Sequence, residues 1–198
     1  FGDIAASSFG GMVYYTSPDR SELLEQLQNQ SIKALCDADW KDLTIIRLPE
    51  IPTFNLLVGW TGQVAITDSL IQATEKKRKV ATDSEFYKEF LKKSHAIVQG
   101  LQKAWNKQDI PALQDGIRAN RALLNEFARE MQLEIETPAL QTLCNLAEQV
   151  GACTKTSGAG GGDCGICFTQ NEQQRQQIEN QWAKAQIQVL PLTIAEAW

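Results

Sequence analysis

Apolar residues recur every three or four positions in three segments of the chain, which is the pattern of helices with one buried face. The first predicted helix follows Thr82 and Glu85, which have the spacing of a capping box. The second opens at Asp109 and the third at Thr137, each with a proline in the first turn. Their predicted inward positions are Phe86, Phe90, Ile97, Leu101 and Trp105, then Leu113, Ile117, Leu124 and Phe127, and then Leu140, Leu143, Cys144 and Ala147.

Short runs rich in β-branched and aromatic residues predict strands at 12–15, 43–48, 54–58, 164–169 and 187–192. The strands 43–48 and 54–58 are close in sequence, so we expect a hairpin or two sheet neighbours. A short helix is expected at 3–9 with Asp3 as its N-cap, and a polar helix at 171–185. Strands and helices alternate without a βαβ period, which predicts an α+β layer with helices on an antiparallel or mixed sheet.

Composition and charge restrict the class of protein further. The chain has 198 residues, of which 43% are hydrophobic and 22% charged, as in a folded globular protein. The net charge of −5 argues against binding to the phosphate backbone of nucleic acid. No apolar run approaches the roughly 20 residues of a membrane-spanning helix. Five cysteines, an odd number, predict reduced thiols and a cytoplasmic protein.

A glycine-rich loop at 157–163 is the strongest chemical signal. Consecutive glycines allow positive φ, and successive backbone amides can then face a phosphate. A tight structural turn explains the same residues. Lys155 could add a point charge for phosphate, since lysine is a common phosphate ligand. The loop and its neighbours form the candidate phosphate site: Lys155, Ser157, Gly158, Ala159, Gly160, Gly161, Gly162 and Asp163.

Further polar candidates lie on the second helix and at the end of a strand. Asn120 falls on the predicted inward stripe of that helix, and Arg121 lies at its edge. An inward polar pair needs partners, so it forms either a structural network or a ligand contact. Trp60 lies in the tight segment Gly59-Trp60-Thr61-Gly62, which the sequence allows to be either a buried turn or a binding loop. The pair Cys164 and Cys167 lies in a strand, where the two side chains point to opposite faces, so no zinc site is predicted.

Four blocks resemble one family in their chain order. The segments 2–11 (GDIAASSFGG) and 157–166 (SGAGGGDCGI) are similar to the acidic catalytic segment and to the third motif of the GHMP kinases. The segments 57–62 (LVGWTG) and 120–124 (NRALL) resemble the bacterial phosphomevalonate kinase branch of that superfamily. The resemblance runs from residue 1 to about residue 192. It implies a GHMP kinase C-terminal domain, with ferredoxin-like helices on a sheet, at 51–198 and the end of the N-terminal, ATP-binding domain at 1–50.

The resemblance implies an ATP-dependent kinase that requires Mg²⁺ and converts phosphomevalonate to diphosphomevalonate, with no nucleic acid or membrane partner. Asp3 would orient or deprotonate the attacking phosphate oxygen, although a phosphate monoester is already largely ionised near neutral pH. The glycine-rich loop would line the phosphates. The implied substrate-binding residues are Trp60, Thr61, Ala65, Thr67, Asn120 and Arg121.

Two departures from the family pattern matter. The family follows Gly-Trp-Thr-Gly with a Pro-Ala-Ser-Thr stretch, whereas this chain has Val64-Ala65-Ile66-Thr67, and Ile66 has no hydroxyl. The family's Gly-Leu-Gly-Ser-Ser phosphate loop does not occur in this sequence. We therefore expect a C-terminal part of a kinase that is inactive alone, with the remaining part as its partner and as the main source of Mg²⁺ ligands. Another GHMP kinase, a diphosphomevalonate decarboxylase and a noncatalytic GHMP-like binding domain are the alternatives.

Overall fold

The computed structural model describes residues 2–62, 84–158 and 160–195. The described chain divides into two compact units. The first consists of the residues up to Glu50 together with Ile194 and Ala195, and the second of Ile51–Thr193.

The first unit combines short helices with a two-stranded antiparallel sheet. Strand β1 pairs with β2 from Met12 opposite Leu48 to Thr16 opposite Thr44. The guanidinium of Arg47 donates to the backbone oxygen of Phe9 at 2.7 Å and so ties the second strand to the first helix. The elements of this unit are α1 (Gly2–Phe9), β1 (Met12–Thr16), α2 (Arg20–Asn29), α3 (Ile32–Cys36) and β2 (Thr44–Leu48).

The second unit is a four-stranded antiparallel sheet with helices packed on it. The strand order is β4-β5-β3-β6, so strands distant in sequence are neighbours in space. The predicted α+β class is confirmed. The elements of this unit are β3 (Asn55–Trp60), α4 (Glu85–Lys107), α5 (Ile110–Glu130), α6 (Pro138–Gln149), β4 (Cys153–Thr156), β5 (Cys164–Thr169), α7 (Glu172–Lys184) and β6 (Gln188–Leu190).

The expected pairing of the strands at 43–48 and 54–58 is wrong. β2 pairs with β1, whereas β3 lies between β5 and β6 in the other sheet. Proximity in sequence favours a hairpin only where a tight turn joins the strands. Here Pro49 and Pro52 lie in the connection, and the chain passes from one unit to the other at Glu50.

One face of the larger sheet carries the main hydrophobic core. Leu57 and Cys167 oppose each other in the register and pack with Leu143 of α6 and Trp182 of α7. The indole nitrogen of Trp182 donates to the backbone oxygen of Leu143 at 2.9 Å, which satisfies the buried N–H. A Cβ at Gly59 would lie 2.7 Å from the Trp182 ring. Glycine is therefore required on this face for α7 to approach β3.

The other face of the sheet carries an aromatic cluster at one end. Phe54 stacks on Phe168 with a centroid separation of 4.7 Å, and Trp105 of α4 meets both rings edge-on at 5.9 and 6.1 Å. A second cluster joins α4 to α5, where Phe90 lies 4.3 Å from Phe127. The first cluster packs α4 on the sheet, and the second packs α4 against α5.

Most predicted helix starts are confirmed, because capping side chains act locally. The Asp109 and Thr137 side chains accept from the backbone amides of Ala112 and Leu140. The capping box at Thr82 is wrong in position: Thr82 lies outside the described residues, and Ser84 is the N-cap. Two further expectations need correction. Leu123 is buried in α5, whereas Leu124, predicted as an inward position, is only half-buried. The segment 152–154, predicted to lead into the glycine-rich loop, overlaps the strand β4.

Candidate functional site: the glycine-rich loop

The glycine-rich loop joins β4 to β5, with Ala159 outside the described residues. Gly158, Gly160, Gly161 and Gly162 have φ values of +57°, +78°, +88° and +121°. L-residues rarely adopt this region, so the glycines meet a conformational requirement of the turn. A backbone of this shape can turn amide groups toward one side and present them to an anion.

Hydrogen bonds within the unit hold the loop in this conformation. The amide of Gly160 donates to the backbone oxygen of Ser157 at 3.3 Å. The amide of Gly161 donates to the backbone oxygen of Ile135, in the α5–α6 connection, at 2.8 Å. A Cβ at Gly160 would collide with that same carbonyl of Ile135. The amide of Ser157 also donates to the backbone oxygen of Cys164 at 2.9 Å, so these three loop amides are engaged within the protein and a phosphate would have to use others.

Thr61 connects the loop to the end of β3. Its amide donates to the backbone oxygen of Asp163 at 3.0 Å. Its hydroxyl donates to the backbone oxygen of Gly162 and lies 3.0 Å from that of Asp163. The structure thereby brings together two motifs that are about 100 residues apart in the sequence. Sequence reasoning missed this contact, because nothing local to Thr61 indicates which carbonyl it reaches.

Lys155 and Trp60 lie on the same face of the sheet, opposite the main core. Thr154 reaches Cys144 of α6, so its neighbour Lys155 points to the other face. Gly59 approaches Trp182 of α7, so Trp60 also points away from the core. One strand, β5, separates the two residues, and their partners on it, Ile166 and Cys164, are two positions apart, which places the two backbones roughly 12 Å apart. The face that bears them leads directly into the glycine-rich loop.

Burial shifts the pKa of two groups on this face. It lowers the pKa of the Lys155 ammonium, whose Nζ donates to the backbone oxygen of Thr156 at 2.6 Å. It also raises the pKa of the Cys164 thiol to about 11, and the neighbouring Asp163 carboxylate acts in the same direction. The Cys164 thiol therefore stays protonated at neutral pH, and its Sγ lies 3.5 Å from Oδ1 of Asp163.

Arg121 lies in an ion-pair network instead of an open pocket. Its guanidinium contacts both carboxylate oxygens of Glu136 at 2.5 and 2.9 Å, Glu148 at 2.8 Å and the amide oxygen of Asn145 at 3.0 Å. The side chains of Arg121 and Glu136 are only 12% and 6% exposed. Of the two alternatives for Arg121, this geometry favours the structural network. Its contact with substrate stays a prediction.

A second side-chain amide joins this network besides that of Asn145: the amide nitrogen of Asn125 donates to Glu136 at 2.9 Å. Asn120 is half-buried on α5, and its predicted substrate contact is not tested. Burial alone would raise the pKa of Glu136, but the hydrogen bonds from Arg121 and Asn125 outweigh it and leave this pKa lowered. Glu136 follows Ile135, whose carbonyl holds the glycine-rich loop, so the network fixes the segment on which the loop rests.

Asp3 belongs to the other unit and lies in the first turn of α1. The helix already includes Gly2, so the expectation that Asp3 is the N-cap is wrong. Its side chain is exposed, and a hydrogen bond from the amide of Ile4 lowers its pKa. The carboxylate is therefore ionised at neutral pH. Its catalytic role stays a prediction, and the predicted substrate residues Ala65 and Thr67 lie outside the described residues.

Three further features of the described residues are the state of the cysteines, possible metal ligands and helix hydropathy. All five cysteines are free thiols. Within residues 2–62, 84–158 and 160–195, no three or more His, Cys, Asp or Glu side chains are grouped so as to hold a metal ion. No helix in those ranges is long and apolar enough to cross a membrane.

Comparisons with known proteins agree with this architecture. Residues 98–188 match the family model for the GHMP kinases C terminal. The chain is 36% identical over 196 residues to a phosphomevalonate kinase from Streptomyces sp. (strain CL190). This match covers 98% of this chain and 52% of the Streptomyces protein. The Lin0012 protein from Listeria innocua has a TM-score of 0.93 and 32% identity over 100% of this chain and 55% of its own. Streptococcus pneumoniae phosphomevalonate kinase in complex with phosphomevalonate and AMPPNP has a TM-score of 0.80 and is 27% identical; the match covers 96% of this chain and 54% of the pneumococcal chain.

The chain therefore carries the C-terminal domain of a GHMP kinase, as its motifs predict. Within that class, the predicted resemblance to bacterial phosphomevalonate kinases is confirmed. The chain spans about half the length of the relatives it matches.

Proposed function

We propose that the protein containing this chain transfers the γ-phosphoryl group of ATP to (R)-5-phosphomevalonate and forms 5-diphosphomevalonate. One observation carries the proposal. The glycine-rich loop and the Gly-Trp-Thr-Gly segment meet at one end of the sheet, in a chain 36% identical over 196 residues to a phosphomevalonate kinase. The pneumococcal relative, with phosphomevalonate and AMPPNP bound, supports both the acceptor and the nucleotide.

In this reaction an oxygen of the substrate phosphate attacks the γ-phosphorus of ATP. The bond from that phosphorus to the β–γ bridging oxygen breaks, and ADP leaves with the electron pair. The attacking phosphate is already largely ionised near pH 7, so little proton transfer is needed. Catalysis then depends on aligning two anionic phosphates and stabilising the charge between them.

The residues of the sheet face and loop fit these requirements. Loop amides other than those of Ser157, Gly160 and Gly161 would face the phosphates, and Lys155 would add positive charge at the start of the loop. Trp60, together with Ala65 and Thr67, would bind phosphomevalonate. Asp3 would orient the attacking phosphate. Mg²⁺ would neutralise charge on the nucleotide phosphates, and we propose that its ligands lie mainly outside this chain.

We further propose that the two units belong to two domains of the kinase. Residues 1–50 would be the end of the N-terminal, ATP-binding domain, and 51–198 the C-terminal domain. The change of compact unit between Glu50 and Ile51 supports this boundary, while Ile194 and Ala195 belong to the first compact unit. The rest of the protein would then be the partner of this chain, and five free thiols support a reducing, cytoplasmic setting.

A comparison of acceptors tests the proposed function. The full-length protein is assayed with ATP and Mg²⁺ by the rate of ADP release, with phosphomevalonate, mevalonate or homoserine as acceptor. We expect kcat/KM for phosphomevalonate to exceed the other two by at least roughly 100-fold, because a site built for a second phosphate leaves charges unpaired when that phosphate is absent. Equal or higher kcat/KM with mevalonate or homoserine would overturn the proposal.

A further inference from the structure

Thr61 holds the last two carbonyls of the glycine-rich loop. We propose that Thr61 is a positioning residue, which acts on phosphoryl transfer by fixing the loop, and is not a substrate ligand. This inference rests on the proposed function and assigns a role to one residue of the same site. It replaces the substrate contact expected for Thr61 from the family resemblance.

The contacts of Thr61 with the loop use both its backbone and its side chain. The amide donates to Asp163, and the hydroxyl reaches the oxygens of Gly162 and Asp163. The preceding residue, Trp60, pairs with Cys164, the first residue after the loop. Two contacts therefore fix the end of the loop to the end of β3. One is the strand pairing of Trp60 with Cys164, and the other is the set of hydrogen bonds from Thr61 to Gly162 and Asp163.

Such an anchor matters because glycines lose more conformational freedom on ordering than other residues. The described loop has four glycines with positive φ, and the carbonyl of Ile135 holds its middle. Thr61 supplies the second anchor, at the end that leads into β5. Because a misplacement of about 1 Å can lower a rate roughly 100-fold, the position of this end bears on catalysis.

The chemistry of the hydroxyl argues against a direct contact with phosphate. A threonine hydroxyl has a single O–H to donate, and here that hydrogen is directed at backbone carbonyls of the loop. An ionised phosphate oxygen accepts hydrogen bonds and does not donate them. The remaining lone pairs of the Thr61 hydroxyl therefore cannot bind it.

Three variants of the full-length protein test the inference. Thr61→Val removes the hydroxyl at nearly constant volume, and Thr61→Ser keeps it. The matched control is Thr169→Val, because Thr169 is a buried threonine at the opposite end of β5 whose hydroxyl contacts the backbone oxygen of Asn55. For each variant, kcat and both KM values are measured, together with amide hydrogen exchange of a peptide that covers the loop.

We expect Thr61→Val to lower kcat roughly 10- to 100-fold and to speed exchange in the loop at least roughly tenfold. KM for phosphomevalonate should change less than about threefold, because the substrate does not touch the hydroxyl. Thr61→Ser should restore kcat and slow exchange to near the parent values. Thr169→Val should leave both loop exchange and kcat near those of the parent protein. If Thr61→Val does not fold, Thr61→Ala removes the hydroxyl together with the γ-methyl and provides the comparison without adding a methyl group.

Two results would overturn the inference. One is a raised KM for phosphomevalonate in Thr61→Val with kcat and loop exchange unchanged, which would mark Thr61 as a substrate ligand. The other is unchanged loop exchange together with a loss of kcat. If the parent protein does not phosphorylate phosphomevalonate, the proposed function fails. Loop exchange in Thr61→Val and Thr61→Ser then still decides whether Thr61 anchors the loop.

Discussion

At the scale of single residues, Asp3 tests whether the acidic segment takes part in catalysis. Its carboxylate is exposed in the first turn of α1 and is not the N-cap, so its removal should cost the helix little. In the full-length protein we expect Asp3→Asn to lower kcat by at least roughly 100-fold, with unfolding midpoints shifted only slightly. Asp37→Asn, at another exposed position, is the control. A loss of stability with kcat intact would assign Asp3 a structural role.

Substituting alanine at Gly160 and at Gly158 distinguishes the cost of backbone strain from the cost of a steric clash within the same loop. Both have positive φ, so a Cβ at either position costs about 1–2 kcal/mol. Only at Gly160 would that Cβ also collide with the carbonyl of Ile135, whereas nothing lies within 4 Å of it at Gly158. We expect Gly160→Ala to lower the free energy of unfolding by at least about 3 kcal/mol and Gly158→Ala by about 1–2 kcal/mol, as measured by urea unfolding. Equal losses would mean that the loop can move away from Ile135.

Residue identities predicted the loop and its chemistry but not its contacts. A run of glycines before Asp163 is sufficient to expect positive φ, which Gly160, Gly161 and Gly162 confirm. The partners of the loop, Thr61 and Ile135, are non-local, and no spacing rule indicates them. The same limit applies to Arg121, since the partner Glu136 lies beyond the helix that carries it.

At the scale of elements, the caps at Asp109 and Thr137 were predicted correctly, those at Asp3 and Thr82 were not, and the pairing of the strands could not be predicted. The starts of α5 and α6 followed from Asp109 and Thr137, because the side chain of an N-cap bonds to amides within the same turn. The strand β4 was missed because its four residues adjoin the glycines and resemble a loop entrance. The neighbours of β3 come from β5 and β6, more than 100 residues further along the chain, so the register could not be derived from local pattern.

The network of Arg121 and Glu136 joins α5 to the connection that precedes α6, and it makes stability depend on pH. The pKa of Glu136 is lowered in the folded protein from an ordinary value near 4.5. The stabilisation is therefore complete above the unfolded value and is lost as the pH falls through the folded one. We expect Glu136→Gln to lower the free energy of unfolding by about 3 kcal/mol at pH 7, since it breaks a buried ion pair.

Urea unfolding of the parent protein and Glu136→Gln at pH 7, 5, 4 and 3 measures this dependence. The difference between the two should shrink as the pH falls below about 4.5 and be lost as it passes through the lowered pKa of Glu136 in the folded protein. Glu179→Gln is the control, because its ion pair with Arg175 is partly exposed and should be worth about 0.5 kcal/mol or less. A difference that stays constant down to pH 3 would show that the charge of Glu136 does not stabilise the network.

At the scale of the whole molecule, the sheet face that bears Trp60 should serve the acceptor and not the nucleotide. Trp60 points away from the core at the end of β3, next to the segment that contains Ala65 and Thr67. In the full-length protein we expect Trp60→Ala to raise KM for phosphomevalonate about tenfold and to change KM for ATP less than twofold. Steady-state kinetics with each substrate varied in turn measures both constants. A rise in KM for ATP alone would place the nucleotide on this face.

The identity of the product tests the central claim most directly. The full-length protein is incubated with Mg²⁺ and equimolar ATP and phosphomevalonate, and the mixture is followed by ³¹P NMR. We expect the phosphomonoester signal of phosphomevalonate to disappear as two new diphosphate signals and those of ADP appear. Gly161→Val, which alters the loop at a position with φ of +88°, should remain folded and form the diphosphate at least roughly 100-fold more slowly. ADP and inorganic phosphate without a new diphosphate, or no reaction by the parent protein, would contradict the account.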